Sequence, residues 1–270
     1  MTPCEKGLIF TLEQIQKPGE FRKYFLTELN KQSFLSVNHM IDYCRKICPE
    51  LPCKDTCNAF LNTLQAKDKG SLGKIIEYAI FGQKPNNDSS ADLTDMDIKV
   101  THFKKLKNNN YNAKERLTIT NCGTTFDYNS FNEIKNSTCL QDSKYYSKCQ
   151  KGLLFVIEHS SGKNKSMEEL LKQKVLCICS YDMNTFKLSW KEQIDKDYTN
   201  IRERALNETI SQKGQKYLHI HPHGSKNSGT RALGFKNKFL TELVGHCLEE
   251  ARNVNNILEI KNNSVSIKLN

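Results

Sequence analysis

The residues best suited to chemistry lie in Ala91-Asp92-Leu93-Thr94-Asp95-Met96-Asp97-Ile98-Lys99-Val100. On a strand, residues two apart share a face. Asp97 and Lys99 therefore project together, while Ile98 and Val100 face an apolar side. Asp92 precedes this strand, where a turn can bring its carboxylate back to the same place. Two carboxylates and a backbone oxygen suit Mg²⁺, which takes oxygen ligands and keeps several waters. An ion held there lowers the pKa of a water and neutralises charge growing on a phosphate. A lysine beside it orients that water and stabilises the transition state. The plain alternative is a solvated Asp–Lys pair worth about 0–1 kcal/mol. Glu77 adds weight to the catalytic reading, because it is flanked by Ile75, Ile76 and Ile80. A carboxylate beside a core-facing stripe needs a compensating partner. Its own alternative is a glutamate on a helix surface.

His219, His221 and His223 alternate along a second strand, so all three face one side. Metal chelation, a polar strand face and contact with a nucleic-acid groove are the readings this pattern allows. Lys226, Arg231, Lys236 and Lys238 follow within fifteen residues of His223. Lysines and arginines on loops and at a helix start can neutralise phosphates, while His221 or Arg231 can reach base edges. Taken singly, Lys236 and Lys238 are as well explained as a solvated helix face. Cys44, Cys48, Cys53 and Cys57 are spaced densely enough for a zinc hypothesis, although the CxxC knuckle is absent. Cysteines at i and i+4 on one helix face also bury well as small apolar groups.

The elements that must position these groups are mixed. The first 68 residues read as helical, with Phe21, Tyr24, Phe25 and Leu29 at helical spacing and a further helix over 58–66. A helix follows over 71–82, with Ser71 as its cap and Gly82 as its end. Strand signals occur at 96–100, 117–120, 153–158, 175–181 and 217–221. Helices are expected over 167–173 and 190–205, and a last one from Lys236 carries Phe239, Leu243 and Val244 inward. The fold class is α/β or α+β, with a mixed central sheet flanked by helices. We expect residues 1–68 to be a helical N-terminal extension packed on a domain formed by 69–270.

Composition is consistent with a polyanion partner. Lys+Arg is 40 against Asp+Glu 30, giving a net charge of +10 and a pI near 9.0. Mean hydropathy is −0.62, and no segment approaches the length of an apolar membrane span. The apolar stretch Gly7-Leu8-Ile9-Phe10 is too short for a signal peptide, so a cytoplasmic location with reduced thiols is expected. No phosphate-binding loop, dinucleotide fingerprint or nucleophile elbow is present.

Taken in order, these residues resemble the MutH-like endonucleases, a family of PD-(D/E)xK enzymes. The resemblance runs through Lys69-Gly70-Ser71-Leu72-Gly73-Lys74-Ile75-Ile76-Glu77, Gly82, Asp92 and Asp97-Ile98-Lys99-Val100-Thr101. Ala113-Lys114-Glu115-Arg116-Leu117 is similar to the restriction branch of that family. It continues through Lys148 ahead of Leu153-Leu154-Phe155-Val156 and through Asp195-Lys196-Asp197-Tyr198, which is similar to the opening of the family's acidic helix. It ends with Tyr217-Leu218-His219-Ile220-His221-Pro222 and Lys236-Asn237-Lys238-Phe239. The resemblance implies a restriction-endonuclease-like core with two arms around a DNA cleft. It implies Asp92 and Asp97 as Mg²⁺ ligands, Lys99 as the catalytic lysine, Glu77 as support for the metal, Lys148 as an auxiliary lysine and Lys69 as a backbone contact. Asp88 and Asp95 stand as alternatives to Asp92. His221 replaces the family's base-reading arginine, and Asp97 replaces its usual glutamate.

The implied activity is type II restriction: Mg²⁺-dependent hydrolysis of double-stranded DNA at a short site, GATC by default, leaving 5′-phosphates. A homodimer on DNA and a cognate DNA methyltransferase are the implied partners. The alternatives are a strand-nicking mismatch-repair endonuclease activated by a partner, and a non-catalytic DNA-binding protein.

Overall fold

A computed structural model describes residues 9–64, 70–84, 91–161, 166–225, 227–252, 255–261 and 264–269. Its strands are β1 (Asp97–Lys105), β2 (Tyr111–Ala113), β3 (Leu117–Thr124), β4 (Lys151–Glu158), β5 (Val175–Asp182), β6 (Leu218–Pro222), β7 (Thr230–Phe235), β8 (Leu258–Lys261) and β9 (Ser264–Ile267). The architecture is mixed α+β. The chain divides into two compact units, Met1–Lys104 with Leu153–Ser180, and Lys105–Gly152 with Tyr181–Asn270. No helix among the described residues is long and apolar enough to cross a membrane.

In the first unit the strands run in the order β5-β4-β1. β4 is apolar almost throughout, with Leu153, Phe155 and Ile157 fully buried, as a strand covered on both faces must be. The N-terminal helices share this core. Phe25 packs edge-on to Phe10 at 5.5 Å and to Phe81 at 6.3 Å, and Phe81 packs on Phe155 at 6.3 Å. The Glu20–Lys31 helix departs from the expected stripe. Phe21 and Tyr24 are exposed, while Arg22 is buried with Phe25 and Leu29. The helix at 54–63 begins earlier than expected, capped by Cys53. Helix Ser71–Phe81 is bounded by Gly70, not by Ser71, which is its buried first residue. Gly82 ends it at φ +64°, a left-handed conformation that glycine adopts without strain.

The second unit holds the antiparallel sheet β3-β7-β6 and the antiparallel strand run β2-β9-β8. Helices Leu188–Leu206 and Asn237–Arg252 supply its core, and Phe239, Leu243 and Val244 point inward as expected. Trp190 meets Phe239 edge-on at 5.1 Å, and Tyr217 stacks on the same ring at 4.5 Å. Asp195-Lys196-Asp197 does not open a helix; it lies in the middle of Leu188–Leu206. The reason is local. Asp197 is buried, and its carboxylate accepts hydrogen bonds from the backbone N–H groups of Lys216 (2.9 Å), Tyr217 (2.6 Å) and Leu218 (2.9 Å). These are donors that the incoming end of β6 cannot pair within a ladder, and a buried N–H must be paired.

Candidate active site

The candidate centre lies within the first unit. A tight turn precedes β1: Leu93 N–H donates to the Met96 carbonyl at 2.9 Å, and Leu93 is buried beneath it. This turn returns Asp92 toward the strand, where its Oδ2 accepts from the Ile98 N–H at 2.9 Å. Asp95 leaves the turn in another direction and pairs with Arg22, whose guanidinium also donates to the Gln16 carbonyl. The turn that presents Asp92 is thus tied to the N-terminal helices. Arg22 and this tie are invisible to apolar-stripe reasoning; an arginine at an inward-facing helical position was the available signal.

Asp97 opens β1 and is 1% exposed. The Lys99 ammonium pairs with its Oδ2, as the strand alternation requires. Neither carboxylate oxygen receives a hydrogen bond of ordinary geometry among the described residues. Burial pushes the Asp97 carboxyl above its usual range; Lys99 opposes this and the nearby Asp92 charge adds to it. Glu77, from helix Ser71–Phe81, is pushed up to about 7, first by burial and next by Asp92, with Asp97 acting in the same direction. Lys99 and Lys74 oppose the rise. Four groups from a helix, a turn and a strand therefore act on one another electrostatically: Glu77, Asp92, Asp97 and Lys99.

The buried Asp97 carboxylate, without a hydrogen bond of ordinary geometry, is an oxygen donor of the type that a hard divalent cation takes. Mg²⁺ needs only one or two protein carboxylates because it retains water. No set of three or more His, Cys, Asp or Glu side chains converges in metal-binding geometry among the described residues. Cys44, Cys48 and Cys57 are buried in the helical core, and Cys53 is exposed at its cap.

The remaining expected positions lie in the second unit or outside the described residues. Lys69, Asp88 and Lys226 are outside them. Lys148 is on the short helix Tyr146–Cys149. His219, His221 and His223 do share one side, with successive ring centroids 4.7 and 6.4 Å apart. His221, however, is 1% exposed, with Nε2 at 3.2 Å from the Thr118 hydroxyl, and His219 is also buried. His223 is exposed. Burial pushes His219 down to about 4, with Lys236 and Arg116 adding to the effect. His221 falls to about 3, again first by burial, then by His219, Arg116 and His223. Both are neutral at pH 7. Arg231 folds back on the carbonyls of Gly229 and Thr230 at 3.0 and 3.1 Å. Lys236 donates to the Gln215 carbonyl, and Lys238 is exposed.

No protein-family model matches the chain. A restriction enzyme does: over 191 residues the chain is 26% identical to the type II restriction enzyme Sau3AI of Staphylococcus aureus, a match covering 66% of this chain. The aligned region spans 37% of that relative's length.

Proposed function

We propose that this chain is a Mg²⁺-dependent type II restriction endonuclease of the PD-(D/E)xK, MutH-like kind. The observation that carries the reading is the buried Asp97 carboxylate, paired with Lys99 and pressed by Asp92 and Glu77. The similarity to a type II restriction enzyme supports it independently.

In this reading Asp92 and Asp97 hold the ion, with Glu77 behind them. Bound Mg²⁺ would supply Lewis-acid polarisation of the scissile phosphate and a more acidic water. Lys99 faces the same space and stabilises the negative charge that grows on the phosphate oxygens. Glu77 supports the ion from the helix behind the two aspartates, and its carboxyl, raised in the metal-free chain by burial and by Asp92, would be held ionised by the cation. Water oxygen bonds to phosphorus and gives up a proton to solvent, the P–O3′ bond breaks and the 3′ oxygen takes a proton from solvent, and the products are a 5′-phosphate and a 3′-hydroxyl. Lys148 is an auxiliary lysine for the same reaction. Lys69, Lys226, Lys236 and Lys238 contact phosphates, and His223 with Arg231 reads bases. His221 contributes to reading through the strand it braces. GATC is the default site. Cutting both strands with one centre per chain calls for two chains on DNA, and a cognate methyltransferase protects the host's own sites in the cytoplasm.

The test is incubation of the purified chain with supercoiled plasmid and Mg²⁺, followed by sequencing of the ends. Linear fragments sharing one terminal sequence are expected. Open circles alone would indicate a strand-nicking enzyme, and retarded but uncut plasmid a non-catalytic DNA-binding protein.

A further inference from the structure

Phe126 is 75% exposed, yet the turn that carries it is closely hydrogen-bonded. It sits just past β3, beside the loop joining β6 to β7. Thr125 N–H donates to the Gly229 carbonyl at 3.0 Å, and Phe126 N–H donates to the Thr124 hydroxyl at 3.3 Å. Ser130 braces the same turn, accepting from Thr124 N–H at 2.7 Å. Across from it, the Ser228 hydroxyl donates to the His223 carbonyl at 2.8 Å. Gly229 has φ +65°, and a Cβ there would lie 2.9 Å from the Phe126 ring. The ring is therefore seated on a glycine that has no room for a side chain, and it points at solvent.

Its neighbourhood is polar. Among the described residues of the second unit, the other large exposed apolar side chains are Leu188, Leu206 and Ile260, all in other elements. A protein-docking surface presents a contiguous apolar patch of several hundred Å². A single ring beside Thr124, Thr125, Ser228 and Gly229 does not. Short hydroxyl side chains suit phosphate and sugar oxygens, and an isolated apolar wedge suits a base step. The charge agrees, since Lys105–Gly152 with Tyr181–Asn270 has 22 Lys+Arg against 14 Asp+Glu, which is +8 of the chain's +10.

We propose that Phe126 is a wedge that enters the base stack of bound duplex DNA, held out by the paired β3 and β6–β7 loop ends. This rests on the DNA-binding reading above and adds a contact that neither the sequence motifs nor the comparison assigns. Chemistry does not pass through it, so Phe126 positions the duplex.

The experiment uses the full chain in EDTA with a 24-base-pair GATC duplex and a scrambled duplex of equal length. Phe126→Ala should weaken duplex affinity by about fivefold to a hundredfold, the range of a lost aromatic–base stack. The slope of affinity against salt should stay unchanged, because no phosphate contact is removed. Phe126→Trp should bind like the wild type, and its emission should fall on DNA addition, while the buried Trp190 of the wild type serves as the unchanging reference. If the wild type binds but Phe126→Ala binds within twofold of it and the new tryptophan does not respond, the wedge is refuted and DNA binding stands. If the wild type binds neither duplex, the DNA reading fails and takes the wedge with it. Loss of self-association in Phe126→Ala without DNA would assign the ring to a protein contact and refute the proposal.

Discussion

The two units differ in the ionisable groups whose charge their surroundings oppose: the carboxyls of Glu77 and Asp97 in the first, the imidazoles of His219 and His221 in the second. The first, with 18 Lys+Arg against 16 Asp+Glu, is nearly neutral and buries carboxylates raised by burial and by each other. The second is strongly basic and buries two imidazoles lowered by burial and by nearby cations. In the proposed function the carboxylates of the first unit receive the cation. In the same reading the net positive charge of the second unit favours the polyanion. Under that proposal, the contrast separates the chemistry of phosphodiester hydrolysis from the electrostatics of DNA binding, and each can be perturbed alone.

The largest effect is expected at the acidic cluster. Asp92→Ala should lower plasmid cleavage at least a thousandfold while leaving DNA affinity within about tenfold, measured by gel retardation and single-turnover cleavage. Equal losses of both would merge the two roles. Next in size is Asp197→Ala in the second unit. Three backbone N–H groups would lose their acceptor, costing about 3–5 kcal/mol of stability by urea unfolding. Cleavage chemistry at the remaining folded fraction should be normal.

The pH dependence should have opposite signs in the two units. The folded pKa of Glu77 is raised to about 7 from 4.5, so the folded chain keeps a proton that the unfolded chain has lost. That contribution is fully present below about pH 4.5 and disappears as pH rises through 7. In EDTA, Glu77→Gln should gain about 1–3 kcal/mol on the wild type between pH 4.5 and 8. His219 is lowered to about 4 from 6.5, so its contribution is present above pH 6.5 and disappears as pH falls toward 4. His219→Phe should therefore gain on the wild type by about 1–2 kcal/mol between pH 7.5 and 5. Stability differences that move the same way in both variants would erase the contrast. The smallest effect is expected at Lys238: Lys238→Ala should weaken duplex binding by about 1 kcal/mol and reduce the salt slope by about one.

Much of this was legible in the sequence where periodicity is strong. The Asp97–Lys99 pair follows from strand alternation alone, whereas the spacing before the strand leaves Asp88, Asp92 and Asp95 open; the turn directs Asp95 to Arg22 and Asp92 to the Ile98 N–H. The inward face of Asn237–Arg252 was equally clear. Other features depend on tertiary partners that no local pattern records. Arg22 occupies a core-facing position only because Asp95 meets it there. Asp197 is buried in mid-helix only because the start of β6 brings it three unpaired N–H groups. β7, Thr230–Phe235, mixes small and glycine residues and has no strand signature of its own. It is fixed by pairing with β3 and β6. His221 looked like a groove-facing residue because alternation gives a shared side but not which side is covered.

The central claim is that Lys99 and the carboxylates around it act on a phosphodiester. The most direct measurement is the single-turnover rate of plasmid cleavage by Lys99→Ala in Mg²⁺, at protein concentrations that give the same DNA occupancy as the wild type. We expect the rate to fall at least a thousandfold. Cleavage by Lys99→Ala within tenfold of the wild-type rate would contradict the assignment and move the active site elsewhere in the chain.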